Sequence, residues 1–507
     1  MTILTLFMKN REHNNFMMTQ SCIRWGQILL LSCLFAIAAP LTAQAQTSLL
    51  PDAPSPADLN APAPAVRNAP DTSDTVTMFP HTESSRFFMA GQANIVFQSH
   101  GPMHSPYEGT NSFLSRGEYK TSLVGTLYLG AQLLRTPEHA NDFILDFESA
   151  GGRGLSEALG LAGFTNLDVV RNPNLGSKPY IARVQLHQTI GLSSKLVDTT
   201  RNPFSLATQA PERRLELHVG KMSLPDYFDA NSIGTDSHLQ FLNWTADNNG
   251  AWDYAADTRG YTYAAVAEYI DTCWSARYAI SLMPTVPNGI DLDWALRRAS
   301  GQNGEVEIRH SLLGKLVSPE RKGTLRFLTY VNHAHMGLYR DAVKAYLNGT
   351  DPTPDVNKHA VFSSVKYGFG GNFEQELTPN LRAFGRFGWN EGQHESFAYT
   401  EVDQTIELGG DYSGRAWSRP NDKLGLAFIT NAIGKDHQTY LKLGGLGFLL
   451  GDGNLNYARE DILESYYNAH VWRGIYYAFD LQYIDHPGYN KDRGPTLVET
   501  VRMHVDF

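Results

Sequence analysis

Apolar and polar residues alternate along most of this chain from Arg86 onward, and the final stretch shows the period most plainly. In residues 497–507, Leu497, Val501, Met503, Val505 and Phe507 are apolar, with Glu499 the one exception, while Thr500, Arg502, His504 and Asp506 between them are polar. A period of two puts the two sets on opposite faces of a β-strand. About 9 to 11 such residues cross a bilayer when the strand closes into a barrel with its neighbours. The same alternation, interrupted by turn-forming residues, predicts sixteen strands near 87–98, 118–130, 141–149, 180–191, 213–222, 260–270, 274–283, 305–314, 323–333, 360–372, 380–390, 402–412, 423–431, 462–473, 474–485 and 496–507. No apolar run after Arg86 reaches the roughly 18 residues of a membrane helix, so if this segment enters a membrane it does so as strands.

Between the strands, Thr378-Pro379-Asn380 reads as a short periplasmic turn. The stretches 223–259, 284–304 and 334–359, full of Gly, Pro, Asn and Asp, read as long outer loops. The apolar stretch 437–451 does not alternate, and bacterial barrels favour even counts, so it is assigned to a folded extracellular loop. The fold expected is an all-β transmembrane antiparallel β-barrel of about sixteen strands with long extracellular loops.

The period also sorts side chains by face. Leu381, Ala383, Phe387 and Trp389 face lipid, leaving Arg382 and Arg386 inside. Ile475, Tyr477, Phe479, Leu481 and Tyr483 face lipid, leaving Asp480 and Gln482 inside. Elsewhere Gln92, Asn94, Gln98, Asp146, Glu148, Arg183, Gln185, His187, Arg214, Glu216, His218, Glu268, Arg277, Arg326, Glu464 and Asn468 fall in a polar, wet lumen. An arginine on the lipid side at mid-depth costs about 2–4 kcal/mol, which gives the sorting energetic force.

Composition narrows the partners. The net charge is −10, and removing residues 1–45, with three basic and one acidic residue, takes it to −12, so no basic surface serves nucleic acid. Arg24, the apolar core 28–39, Pro40 and Ala43-Gln44-Ala45 form a secretory signal with cleavage expected after Ala45. Cys22 and Cys33 leave with it, so Cys273 is expected to form no internal disulfide. Residues 46–85, rich in Pro, Ala, Asp and Ser, read as a disordered periplasmic segment, either a tether or a partial plug, and 86–507 as the barrel. Asp452, Asn454, Asn456 and Glu460 begin with calcium-loop spacing but lack the Gly and terminal Glu of an EF-hand. His333 and His335 share a face without a third ligand. No metal and no cofactor are expected.

The densest motif run is His218 to Thr262. It contains GKMSLPDYFDAN at 220–231, QFLNW at 240–244 and WDYAADTRGYT at 252–262. These resemble the GKxSxxDxFDxN, QFxNW and WDYxADxRGYT segments of the carbohydrate-selective, OprB-like porins of bacterial outer membranes. The likeness extends to MAGQANIVFQ, SPYEGTNS, FESAGGRGLSEALGLAGFTN and, near the end, ESYYNAHVWRGIYYAFDLQYIDHPGYN. It implies a sixteen-stranded barrel in the outer membrane that passes glucose and related sugars by diffusion. The terminal phenylalanine is similar to the signal that such barrels present to their assembly machinery, with outer-membrane lipid as the other partner.

A neutral sugar offers hydroxyls that donate and accept, and apolar C–H faces, so a selective constriction wants fixed charges, amides and aromatic rings. Arg183, Arg214, Arg277, Arg326 and Arg382 with Glu148, Glu216 and Glu268 supply the first, and Trp244, Trp252, Tyr254 and Tyr227 the second. The same charges also suit a general non-selective porin, where they pair to set a transverse field, and the rings also suit a packed loop core. Asp226, Asp229 and Asn231 are expected to hold their loop by turn and backbone hydrogen bonds. An exopolysaccharide exporter would share the barrel and the charged lumen. Catalysis is not expected: no GxSxG occurs.

Overall fold

The computed structural model describes residues 77–507 apart from 82, 137, 172–174, 314–316 and 319. The first strands are β1 (Phe87–His100), β2 (Glu118–Arg135), β3 (His139–Gly152) and β4 (Tyr180–Gly191). A short hairpin follows, β5 (Leu196–Asp198) and β6 (Gln209–Pro211), then β7 (Arg214–Met222), β8 (Thr262–Ile270), β9 (Trp274–Ser281) and β10 (Ser300–Arg309). The wall continues with β11 (Gly323–Met336), β12 (Val361–Glu376), β13 (Leu381–Asn390) and β14 (Gln404–Ser413). It ends with β15 (Lys423–Ala432), β16 (Glu460–Trp472), β17 (Ile475–Asp485) and β18 (Thr496–Asp506). All but β5 and β6 form one closed antiparallel barrel of sixteen strands in sequence order. β18 closes on β1, pairing from Gln92 with Asp506 to His100 with Val498, so no edge is left open.

Each expected strand has a counterpart. β10 is displaced, starting at Ser300 rather than 305. The segment 437–451 holds a helix, Lys435–Lys442, and no barrel strand. The faces sort as the period requires. Phe479 is 51% and Val501 49% exposed on the outer wall, while Asp480 and Arg502 are fully buried inside. The residues placed in the lumen from the sequence point inward and are buried, apart from Glu216 and Arg382, which are half-buried.

Connections 136–138, 271–273, 377–380 and 473–474 are short and lie at the end that carries the chain terminus. The opposite end carries the long ones, which marks it as the outer end. At the short-turn end the β5–β6 hairpin turns back into the mouth. Leu206 packs with Phe88, Ala90 and Tyr128, and its N–H donates to Asp142 Oδ2 at 3.0 Å. Phe204 lies against Ile144 beneath the Arg183 guanidinium.

Two expectations are corrected. Residues 223–259 form an inward loop rather than an outer one: nearly all are buried inside the barrel. The reason is long-range, since its backbone and carboxylates complement the charged wall described below. Cys273, between β8 and β9, is disulfide-bonded. The contrary expectation rested on Cys22 and Cys33 leaving with the signal, and both lie outside the described residues. So do residues 1–45 and most of the 46–85 segment. Of its described part, the Met78 N–H donates to the Asp506 carbonyl at 2.8 Å.

Candidate functional site

The lumen wall carries charges in lateral register, because inward positions on neighbouring strands sit side by side. Glu268, Arg277 and Glu305 are paired neighbours across β8, β9 and β10. Glu307, Arg326, Asn372, Arg386 and Glu407 continue across β10 to β14. Opposite signs in adjacent positions stabilise each other and let an aqueous barrel bury them. Arg277 donates to Glu268 at 2.8 Å, Glu305 at 2.6 Å and Glu307 at 3.1 Å. Arg326 bridges Glu307 and Glu374, each at 2.8 Å.

The inward loop fastens to this wall. Ser223 opens it with a capping box to Asp226 around a single 3-10 turn. The Asp226 carboxylate takes two parallel bonds from the Arg183 guanidinium, both 2.7 Å, the fork geometry that arginine favours. Asp229 adopts φ 56°, a left-handed conformation that Asp tolerates better than most residues. Its Oδ2 accepts from Asn249 N–H and lies 3.1 Å from Arg386 Nε, while Oδ1 accepts from Asn372. Arg386 reaches on to the carbonyls of Ala246 and Asp247. Farther along, Glu464 accepts from the Leu242 and Asn243 N–H groups, and Arg502 donates to the Ser237 and Gln240 carbonyls. Asn243 caps the turn Trp244–Asp247 through Thr245 N–H. Phe228, Phe241, Ala246 and Trp252 form an apolar core within the lumen, Trp252 being wholly buried with its Nε1–H donated to Asn303.

One cavity beside the inward loop is aromatic and charged. It measures about 80 Å³ and is lined by Trp244, Tyr254 and Tyr399 on one side and by Tyr180, Tyr261, Glu148, Asp257 and Arg259 on the other. Trp244 and Tyr399 stack within 4°, and Tyr254 leans on Tyr399 at 4.8 Å. Glu148 accepts from the Tyr261 hydroxyl at 2.9 Å and from Tyr180. The Arg259 guanidinium sits 3.7 Å over the Tyr180 ring, and among the described residues no acceptor reaches its Nη1. Asp257 turns back to the N–H groups of Arg259 and Tyr261, and burial raises its carboxyl above the usual range despite Lys221. Asp168 also lines the cavity. Burial pushes it up, but the His238 imidazole outweighs this and holds it below the ordinary value.

Of the expected site residues, Glu148 and Trp244 reach this cavity, as does Tyr254. Arg183 lies behind it, 5.2 Å over the Tyr261 ring. Arg214, Arg277, Arg326, Arg382, Glu216, Glu268 and Trp252 do not line it; Arg382 pairs with Asp411 and Arg214 with Glu216. Arg259, Tyr180, Tyr261 and Tyr399 lie outside the expected set. Arg259 and Tyr261 stand inside the WDYAADTRGYT run, so the motif carried them although the strand period did not. At the outer end a second cavity, about 310 Å³, is lined among others by Arg171, Tyr339, Glu395, Glu401 and Phe448. Burial pushes Glu395 up to about 8. Asp452 is committed to Ser112, Asn490 and Arg493.

The family described as carbohydrate-selective porin, OprB family, matches over residues 141–507. The high-pH structure of Pseudomonas putida OprB superposes with a TM-score of 0.62 at 16% identity, covering 83% of this chain and 94% of that one. Its low-pH structure is similar with a TM-score of 0.41 at 13% identity, covering 83% and 92%. The outer membrane channel DcaP of Acinetobacter baumannii gives 0.44 at 9% identity, covering 85% and 100%. No curated protein matches.

Proposed function

Because the chain belongs to the carbohydrate-selective porin family, an outer-membrane channel for sugars rather than an enzyme, we propose that its selectivity resides in the cavity beside Trp244. The observation that carries this is the meeting, in one polar cavity, of stacked rings with a carboxylate and a guanidinium. Trp244, Tyr254 and Tyr399 take the C–H faces of a sugar ring, Glu148 accepts from hydroxyls, and Arg259 donates to them. A guanidinium suits this task because its planar fork spans adjacent hydroxyls and keeps its charge at any working pH. Arg183, Arg214, Arg277, Arg326 and Arg382, with Glu216 and Glu268, act by position: they hold the wall and the inward loop so that the cavity keeps its shape. Trp252 fills the loop core. Outside, the exposed rings meet outer-membrane lipid, and Phe507 is presented to the assembly machinery.

Arg259→Ala, Trp244→Ala and Glu148→Gln are each expected to raise the glucose concentration giving half-maximal flux, while ion conductance stays the same or rises. Flux measured in proteoliposomes over a range of glucose concentrations checks this. Unchanged half-saturation in all three would remove the cavity from the sugar path.

A further inference from the structure

His187 on β4 and His218 on β7 stand opposite each other in strand register. Their rings stack with centroids 4.2 Å apart and planes within 3°. Both Nε2 atoms turn toward one oxygen, Glu216 Oε2, at 3.1 Å from His187 and 3.9 Å from His218. All three atoms lie within 4.8 Å of one another. The far nitrogen of each ring is already engaged. His187 Nδ1 faces Asp142 Oδ2 at 3.3 Å, and His218 Nδ1 faces the Tyr227 hydroxyl at 3.3 Å. That hydroxyl gives its own proton to Gln185 Oε1 at 2.7 Å, so it accepts from His218. His187 therefore donates from both ring nitrogens, Nδ1 to Asp142 and Nε2 to Glu216, so that a metal ion at Nε2 takes the place of the second proton, while His218 holds its hydrogen on Nδ1 and turns Nε2 toward the same carboxylate. Acceptors behind Nδ1 with Nε2 facing forward is the arrangement that orients histidines around metals. Arg214 binds the other oxygen of Glu216, which leaves Oε2 for the histidines.

We propose that His187, Glu216 and His218 bind a divalent transition-metal ion, zinc above others. Two imidazole nitrogens and one carboxylate oxygen, with a fourth position open, match zinc's ligand preference, whereas calcium and magnesium call for oxygen ligands throughout. Asp142 and Glu216 flank His187 at its two ring nitrogens, so an ion that takes the Nε2 position lies against carboxylates already facing a cationic partner. Zinc–nitrogen bonds of about 2.0–2.1 Å require the donors to close in. The stacked rings require one imidazole to turn until an ion lies in the plane of both. Histidine χ2 has a broad well, and His218 is the freer ring, since Tyr227 is the one group hydrogen-bonded to it among the described residues. Tyr227 closes the first turn of the inward loop, so the ion also stiffens the loop's root.

The test uses the full-length mature protein in detergent, equilibrated with zinc and then with cobalt as a spectroscopic stand-in. Elemental analysis is expected to find one zinc per chain. Cobalt is expected to give the intense visible bands of a four-coordinate site, and X-ray absorption at the zinc edge to show two imidazole nitrogens. His187→Gln and His218→Gln should each abolish these signals, with heat-modifiable migration showing the barrel intact, while His335→Gln should leave them in place. The cobalt and X-ray spectra of the unaltered chain decide the matter even where a variant fails to fold. Sub-stoichiometric zinc, or a six-coordinate spectrum without imidazole, would overturn the proposal.

Discussion

Asp229→Ala is expected to loosen the inward loop and turn the channel into a wider, less discriminating one. Asp229 joins three parts of the lumen: Arg386 and Asn372 on the wall, and Asn249 farther along the loop itself. Its own N–H donates to Glu305. Removing one partner of a buried ion pair costs roughly 3–5 kcal/mol, because the surviving charge is left without compensation. Alanine at φ 56° adds backbone strain that aspartate tolerates better. Arg386 keeps Glu407, so the barrel itself survives and the loss falls on the loop. Single-channel conductance should rise several-fold and the preference for glucose over a neutral non-sugar of equal size should shrink. Asp229→Asn, which keeps the hydrogen-bonding shape and the left-handed backbone but not the charge, should fall between the two. Wild-type conductance in Asp229→Ala would show that the loop is held by something other than this junction.

The second large effect concerns assembly. Changing Phe507 to Asp should deplete folded protein from the outer membrane far more than it alters any pore that does form. Phe507 N–H donates to the Gly91 carbonyl at 2.8 Å, one pair beyond the last bridge of the β1–β18 seam, and its ring is exposed on the outer wall. A charge on the lipid face near the interface costs only about 0–1 kcal/mol, too little to unfold a barrel of sixteen strands. Loss of assembly thus reports recognition of the terminal residue rather than stability. Quantifying heat-modifiable, protease-resistant barrel in outer-membrane fractions checks it, and normal amounts would count against the role given to Phe507.

The wall was legible because lipid and water impose opposite demands on alternate residues, and those demands hold whatever lies inside. β10 shows where that logic weakens. Ser300-Gly-Gln-Asn-Gly looks like loop chemistry, yet it pairs with β9 and β11 on either side, and from within the lumen Asn303 receives the Trp252 indole N–H while Gly301 lies against Ala255. The inward loop was hidden for the same reason. Asp226, Asp229 and Asn231 read as ordinary turn formers, and only the closed barrel brings Arg183, Arg386 and Asn372 to them. The expected arginines were placed on the correct face, but the period says nothing of which inward charges are spent on neighbours and which remain open to a solute. Arg259 illustrates the converse. It lies on no strand, and its place over Tyr180 follows from the way the loop returns to β8.

The central claim is that the filled lumen favours sugars rather than merely narrowing the hole. Swelling of liposomes containing the unaltered protein tests it most directly, with glucose set against a neutral non-sugar of equal size over a wide concentration range. The rate with glucose should exceed the other at low concentration and saturate as the concentration rises, because a weak site in the path fills. Equal rates that climb linearly for both solutes would contradict the account.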